Sequence, residues 1–163
     1  MIDRDADRSR IAELLDLQEG RLGVPLLDDA QIRDLLGSGP RIAVIGASNS
    51  PIRPSHGVFI ALRTAGYDVV PVNPAERAVD GLLCFPTLRE AVAAGGPVDI
   101  VDVFRRYEAC PGHAREAVEV GARCLWLQLG IVNREAGEIA AAAGLSIVMN
   151  RCTIVEHDRL IRT

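Results

Sequence analysis

The chain contains no lysine, and all 18 of its basic residues are arginine. This absence excludes Schiff-base chemistry, a lysine general base and the lysine-containing phosphate loop of nucleoside triphosphatases. Aromatic residues are few, with three Phe, two Tyr and one Trp, and acidic residues outnumber basic ones 22 to 18, for a net charge of −4. No nucleic-acid partner is therefore expected, because such partners are bound by basic surfaces and aromatic stacking platforms.

Long apolar runs and clustered metal ligands are also missing. No run approaches the roughly 18 residues of a membrane span, and the first ten residues, MIDRDADRSR, alternate in charge. We therefore expect a cytoplasmic protein without a signal peptide or a membrane partner. The four cysteines form no C-x-x-C pair and the three histidines are dispersed, so neither a metal site nor a disulfide framework is expected.

An alternation of β-branched runs with apolar-periodic helical segments that end at glycine extends through most of the chain. This alternation is typical of an α/β fold whose parallel sheet is covered by helices on both faces. We predict a Rossmann-like, doubly wound parallel sheet with strand order 3-2-1-4-5-6. The six predicted strands are RIAVIG (41–46), YDVVPV (67–72), a weak LLCF (82–85), VDIVDVF (98–104), RCLWLQL (123–129) and LSIVM (145–149).

Two further helices are predicted ahead of the sheet, over residues 9–22 and 29–37. The second ends just before the first strand, so we assign it to the main domain, residues 29–163. Residues 1–28 form an N-terminal helical extension, which either packs on its own domain, the simpler interpretation, or covers a sheet edge or a partner surface. The apolar face of its helix comprises Ile11, Leu14 and Leu15.

The predicted strand order brings the ends of the first and fourth strands together at the switch point where such folds bind ligands. Gly46 and Phe104 should therefore be neighbours. The small, polar turn GASNSPIRPS (46–55) leads from the first strand into a helix, and its amides and the helix dipole suit a phosphate. Arg105 and Arg106 add two guanidinium groups that can hold phosphate in bidentate fashion.

A dinucleotide is the first ligand to consider for such a turn, but two features argue against NAD. The G-x-G-x-x-G pattern is absent, since Gly46 is followed by Ala47 and Ser48. Asn73-Pro74 ends the second strand, where an NAD site normally carries an acid for the ribose hydroxyls.

Five segments, in this order, resemble the small stand-alone CoA-binding proteins that are related to the CoA-binding domain of the succinyl-CoA ligase α subunit. They are IAVIGASNSPIRPSHGV, VVPVNP, VDIVDVFRR, WLQLGIVN and MNRCTIVEH. The resemblance covers about residues 29–161 and implies a groove for coenzyme A at the carboxyl ends of the strands. It implies a phosphate-facing loop of Gly46, Ala47, Ser48, Arg53, Pro54 and Ser55, an adenosine-side segment of Asn73 and Pro74, and an opposite wall of Val103, Phe104, Arg105 and Arg106.

Cys152 is a further candidate, because the segment Asn150-Arg151-Cys152 follows the last strand at the same edge of the sheet. A thiol beside an arginine can ionise readily and exchange with the thiol of CoA. A half-buried, inert cysteine is the alternative. Trp126 is predicted to lie in the core, and Gln128 and Asn133 are predicted to organise the following turn and cap its helix.

The sequence shows no set of nucleophile, base and orienting residue, so no catalytic residue is assigned. We therefore predict non-catalytic binding of CoA or an acyl-CoA. Two alternatives stay open: an acyl-CoA or nucleotide-handling enzyme, and an interaction module that holds the nucleotide as a regulatory ligand. The sequence names no protein partner and leaves a homodimer open.

Overall fold

The computed structural model describes residues 3–162. Its strands are β1 (Arg41–Ile45), β2 (Asp68–Val72), β3 (Ala78–Val79), β4 (Leu82–Leu83), β5 (Ile100–Val103), β6 (Cys124–Leu127) and β7 (Ser146–Val148). Its α-helices are α1 (Arg4–Gln18), α2 (Asp29–Gly37), α3 (Pro54–Thr64), α4 (Leu88–Gly95), α5 (Cys110–Glu119), α6 (Arg134–Ala142) and α7 (Thr153–Leu160), and a 3-10 turn spans Tyr107–Ala109.

Five parallel strands form the central sheet in the order β2-β1-β5-β6-β7. Successive residues of a strand face opposite sides of the sheet, and in β1 this places Ala43 and Ile45 in one apolar cluster and Ile42 and Val44 in the other. Helices cover both clusters, with α4, α5 and α6 over the first and α2, α3 and α7 over the second. The predicted α/β, Rossmann-like class is therefore confirmed.

The third predicted strand, residues 82–85, is not a full member of this sheet. Leu82–Leu83 instead pairs antiparallel with Ala78–Val79 in a separate two-stranded hairpin, and only Phe85 makes a parallel bridge, to Val72 of β2. The segment is enclosed by Gly81 and Pro86 and is too short and too open to be a buried strand, since Leu83 is 66% exposed. In the numbering of the six predicted strands, the sheet therefore has the order 2-1-4-5-6, without strand 3 at its edge.

The first helix begins and ends earlier than the predicted 9–22. Asp3 caps it by accepting hydrogen bonds from the amides of Asp5 and Ala6, at 3.1 and 3.2 Å, and such a cap starts a helix without any apolar periodicity. The predicted apolar face is partly wrong: Leu14 packs against the core, but Ile11 and Leu15 are 53% and 50% exposed. The second helix, α2, has the predicted bounds.

A buried carboxylate fastens α1 to the domain. Glu13 accepts hydrogen bonds from the hydroxyl of Tyr107, at 3.0 Å, and from the amide of Arg134 at the start of α6, at 3.1 Å. Arg134 also forms an ion pair with Asp16 at 2.6 Å. The helix therefore meets the segment that directly follows the Arg105-Arg106 pair. Within residues 3–162, none of the helices is long and apolar enough to cross a membrane.

Candidate functional site

A cavity of about 660 Å³ opens at the carboxyl ends of the parallel strands, within the range typical of small-molecule sites. Segments that follow β1, β2, β5, β6 and β7 all contribute to its wall. Ten of the thirteen predicted site residues line it: Gly46, Ser48, Arg53, Pro54, Ser55, Asn73, Phe104, Arg105, Arg106 and Cys152.

The remaining three predicted residues lie beside this cavity. The side chains of Ala47 and Val103 are fully buried in the core, so only their backbone could meet a ligand. Pro74 lines a smaller adjoining cavity of about 200 Å³, which shares Gly46, Asn73 and Arg105 with the first.

The strand ends meet as predicted. The amide of Phe104 donates to the carbonyl oxygen of Ile45 at 2.9 Å, so β5 continues alongside β1 up to the turn. Gly46 has a φ of +87°, and a Cβ atom there would come within 2.9 Å of the Phe104 carbonyl oxygen. Only glycine fits this position without a shift of backbone, because both the left-handed conformation and the close contact exclude a side chain.

The turn after β1 leaves the start of α3 free for a ligand. Arg53 occupies the N-cap position without a side-chain capping bond, and Pro54 provides the first helical residue. Pro54 has no amide hydrogen and the amide of His56 donates to the Arg53 carbonyl oxygen at 3.1 Å. The amide of Ser55 and the positive end of the helix dipole are therefore left to attract an anion. Asn73 ties this turn to β2, since its Nδ2 donates to the Ala47 carbonyl oxygen at 2.8 Å and its Oδ1 accepts from the amide of Ala75 at 2.9 Å.

The charge of the cavity wall is opposite in sign to that of the whole chain. Three guanidinium groups line it, those of Arg53, Arg105 and Arg106, against the single carboxylate of Glu76. Glu76 also accepts a hydrogen bond from Nδ2 of Asn49 at 2.9 Å. Within residues 3–162 the three arginines form no ion pair, whereas eleven others do. Unpaired guanidinium groups around one cavity favour a ligand with several negative charges.

Cys152 lies at the opposite end of the cavity from the β2 side, at the N-cap position of α7. It is partly exposed, whereas Cys84, Cys110 and Cys124 are buried. Burial raises the pKa of the Cys110 thiol to about 12 and also raises the pKa values of Cys84 and Cys124. Of the four thiols, only that of Cys152 faces the cavity.

Six lining residues were not predicted, namely Val58, Ala75, Glu76, Gln128, Leu129 and Ile131. Gln128 takes part in the following turn through its backbone, since its carbonyl oxygen accepts from the amide of Ile131 at 2.9 Å, while its side-chain amide bonds Asp102 and Thr153. The predicted roles of Asn133 and Trp126 are confirmed: Asn133 caps α6 through the amide of Ala136 at 2.8 Å, and Trp126 is fully buried. The one feature of the sequence that could have identified Gln128 as a lining residue is its position directly after β6.

Residues 40–158 match the family model of the CoA binding domain. The chain belongs to this CoA-binding family. The match includes every predicted site residue and all five strands of the central sheet, whereas α1 lies outside it.

Relatives of known sequence and structure agree with this membership. The chain is 41% identical to the uncharacterised protein YneT of Bacillus subtilis (strain 168) over 128 residues, which are 78% of this chain and 93% of the relative. A hypothetical protein from Pyrococcus horikoshii OT3 superposes with a TM-score of 0.78 and 38% identity, over 83% of this chain and 93% of that one. A structure from Thermus thermophilus, cell-free ID.343, superposes with a TM-score of 0.77 and 37% identity, over 83% of this chain and 100% of that one.

Proposed function

We propose that this protein binds coenzyme A, free or acylated, without catalysing a reaction, and that the phosphates lie at the Gly46–Ser55 turn and the start of α3. The observation that carries the proposal is the set of three arginines without ion pairs around one uncapped helix start. Coenzyme A carries a diphosphate and a 3′-phosphate, so its nucleotide half presents the dense negative charge that such a wall binds.

The order of the strands supports one orientation for the bound molecule. The adenosine lies beside Asn73 and Pro74 at the β2 end, and Phe104, Arg105 and Arg106 form the other wall. The pantetheine arm then runs past the ends of β5 and β6, and the thiol approaches Cys152 after β7. This path follows the observed sequence of lining segments across the sheet.

The residues around the partly exposed thiol of Cys152 support binding in preference to catalysis. Among the described residues that line the cavity there is no histidine that could activate Cys152, and a thiol nucleophile in an enzyme is paired with such a base.

Calorimetric titration of an Arg53→Ala variant with CoA tests the phosphate assignment. Loss of one charge-assisted hydrogen bond to phosphate should weaken binding by about 1 to 3 kcal/mol. Dephospho-CoA, which lacks the 3′-phosphate, should bind more weakly than CoA to the unmodified protein.

An Arg162→Ala variant is the matched control, because it removes the same charge beyond the far end of α7, roughly 12 Å of helix away from Cys152. It should bind CoA as the unmodified protein does. Equal losses in the two variants would mean that only the overall charge matters, and no loss in either would contradict a phosphate site at this turn.

A further inference from the structure

Three buried polar groups from distant parts of the chain meet at the floor of the cavity. They are Asp102 in β5, Gln128 after β6 and Thr153 in the first turn of α7, with exposed fractions of 0%, 3% and 0%. Nε2 of Gln128 lies 2.7 Å from Oδ1 of Asp102 and 2.9 Å from Oγ1 of Thr153. Oγ1 of Thr153 lies 3.0 Å from Oδ2 of Asp102.

The chemistry of these groups fixes which atom donates in each bond. At pH 8, above the raised pKa of about 7 of this buried group, Asp102 is an ionised carboxylate, which only accepts, so it takes one hydrogen from the Gln128 amide and one from the Thr153 hydroxyl. The second amide hydrogen of Gln128 goes to the oxygen of Thr153. Both donors of Gln128 are therefore used within the protein, and the amide cannot turn over without placing its oxygen against a carboxylate.

The side-chain oxygen of Gln128, Oε1, is the one acceptor of this network that is not used within it. Its Oε1 makes no hydrogen bond to any described residue, yet it is not among the enclosed polar atoms without a partner. Gln128 lines the cavity, so this oxygen opens onto it. A buried carboxylate is costly to maintain, and here it holds a glutamine oxygen toward the space where a ligand would lie.

We propose that Oε1 of Gln128 accepts a hydrogen bond from an amide N–H of the pantetheine arm of coenzyme A, with Asp102 and Thr153 as its positioning residues. This inference rests on the proposed function. Neighbouring strands are about 4.8 Å apart, so the end of β6 lies roughly 10 Å across the sheet from the β1 turn. An acceptor backed by a carboxylate repels phosphate, whereas the arm carries two amide groups and no charge. The residue would thus distinguish CoA from nucleotides that lack the arm.

A Gln128→Met variant tests the inference, because methionine has a similar length and provides no comparable acceptor. The variant and the unmodified protein are titrated at pH 8 with CoA and with ADP, which shares the diphosphate and adenosine but lacks the arm and the 3′-phosphate. CoA should bind the variant about tenfold more weakly, whereas the affinity for ADP should stay within about twofold.

Thr153→Val and Thr153→Ser provide a second pair should methionine disturb folding. Valine removes the oxygen that holds the amide of Gln128 and should also weaken CoA selectively, while serine keeps that oxygen and should restore the affinity.

Three results would overturn the inference in different ways. Equal losses for CoA and ADP would make Gln128 a structural residue only. Unmodified protein that binds ADP as tightly as CoA would retain the phosphate site but leave the arm without contacts. Unmodified protein that binds neither ligand would refute the proposed function itself.

Discussion

Asp102 should make the protein less stable as the pH rises, and an Asp102→Asn variant should lose this dependence. Complete burial raises the pKa of Asp102 from 3.8 to about 7, and hydrogen bonds from Gln128 and Thr153 offset only part of the rise. The folded protein therefore binds this proton more tightly than the unfolded chain, so stability falls between pH 4 and pH 7. Three pKa units correspond to about 4 kcal/mol in total, of which about 3 kcal/mol is expected above pH 4.5 as a change in the difference between the two proteins.

Urea denaturation at half-unit steps from pH 4.5 to 8.5 measures this difference. The offset between the two proteins at any one pH includes the altered hydrogen bonds, so the informative quantity is how the offset changes with pH. Asp158→Asn is the control, because that carboxylate is about half exposed and pairs with Arg162 at 3.6 Å. If the difference between Asp102→Asn and the unmodified protein stayed constant over this range, the pKa of Asp102 would not be raised in the folded protein.

Two further predictions concern Cys152 and the anchoring of α1. Under oxidising conditions the protein should gain the mass of one CoA in a form released by reductant. The Cys152→Ser variant should lose this adduct while still binding reduced CoA. An adduct that mass spectrometry maps to another cysteine would contradict a redox role for Cys152. Replacing Glu13 by Ala leaves the Tyr107 hydroxyl and the Arg134 amide without their acceptor, so the free energy of unfolding should fall by about 1 to 3 kcal/mol. An unchanged denaturation midpoint would show that residues 1–28 are not anchored through this carboxylate.

The central sheet was predictable because its strands are continuous β-branched runs, each followed by a helix, and right-handed crossovers leave few arrangements of such units. The run at 82–85 misled the prediction, since composition alone does not show that Gly81 and Pro86 limit it to a hairpin. The first helix was placed too late for a related reason: Asp3 starts it through a cap, whereas the prediction followed apolar periodicity.

The candidate site was predictable to the extent that it follows strand ends. Gly46 and Phe104 come directly after β1 and β5, and Arg53 ends the turn that leads from β1 into α3, so the topology alone brings these segments together. The contacts of Gln128 could not be predicted in this way, because Asp102 and Thr153 are 26 and 25 residues away in sequence. Only packing of β5, β6 and α7 shows that these three residues meet.

Calorimetric titration of the unmodified protein with CoA and with NADH tests whether the cavity is a coenzyme A site. Both ligands carry adenosine and a diphosphate, but only NADH needs the G-x-G-x-x-G turn and the ribose-binding acid that this chain replaces with Gly46-Ala47-Ser48 and Asn73-Pro74. We expect saturable binding of one CoA per chain and far weaker binding of NADH. Tight binding of NADH without binding of CoA would contradict it.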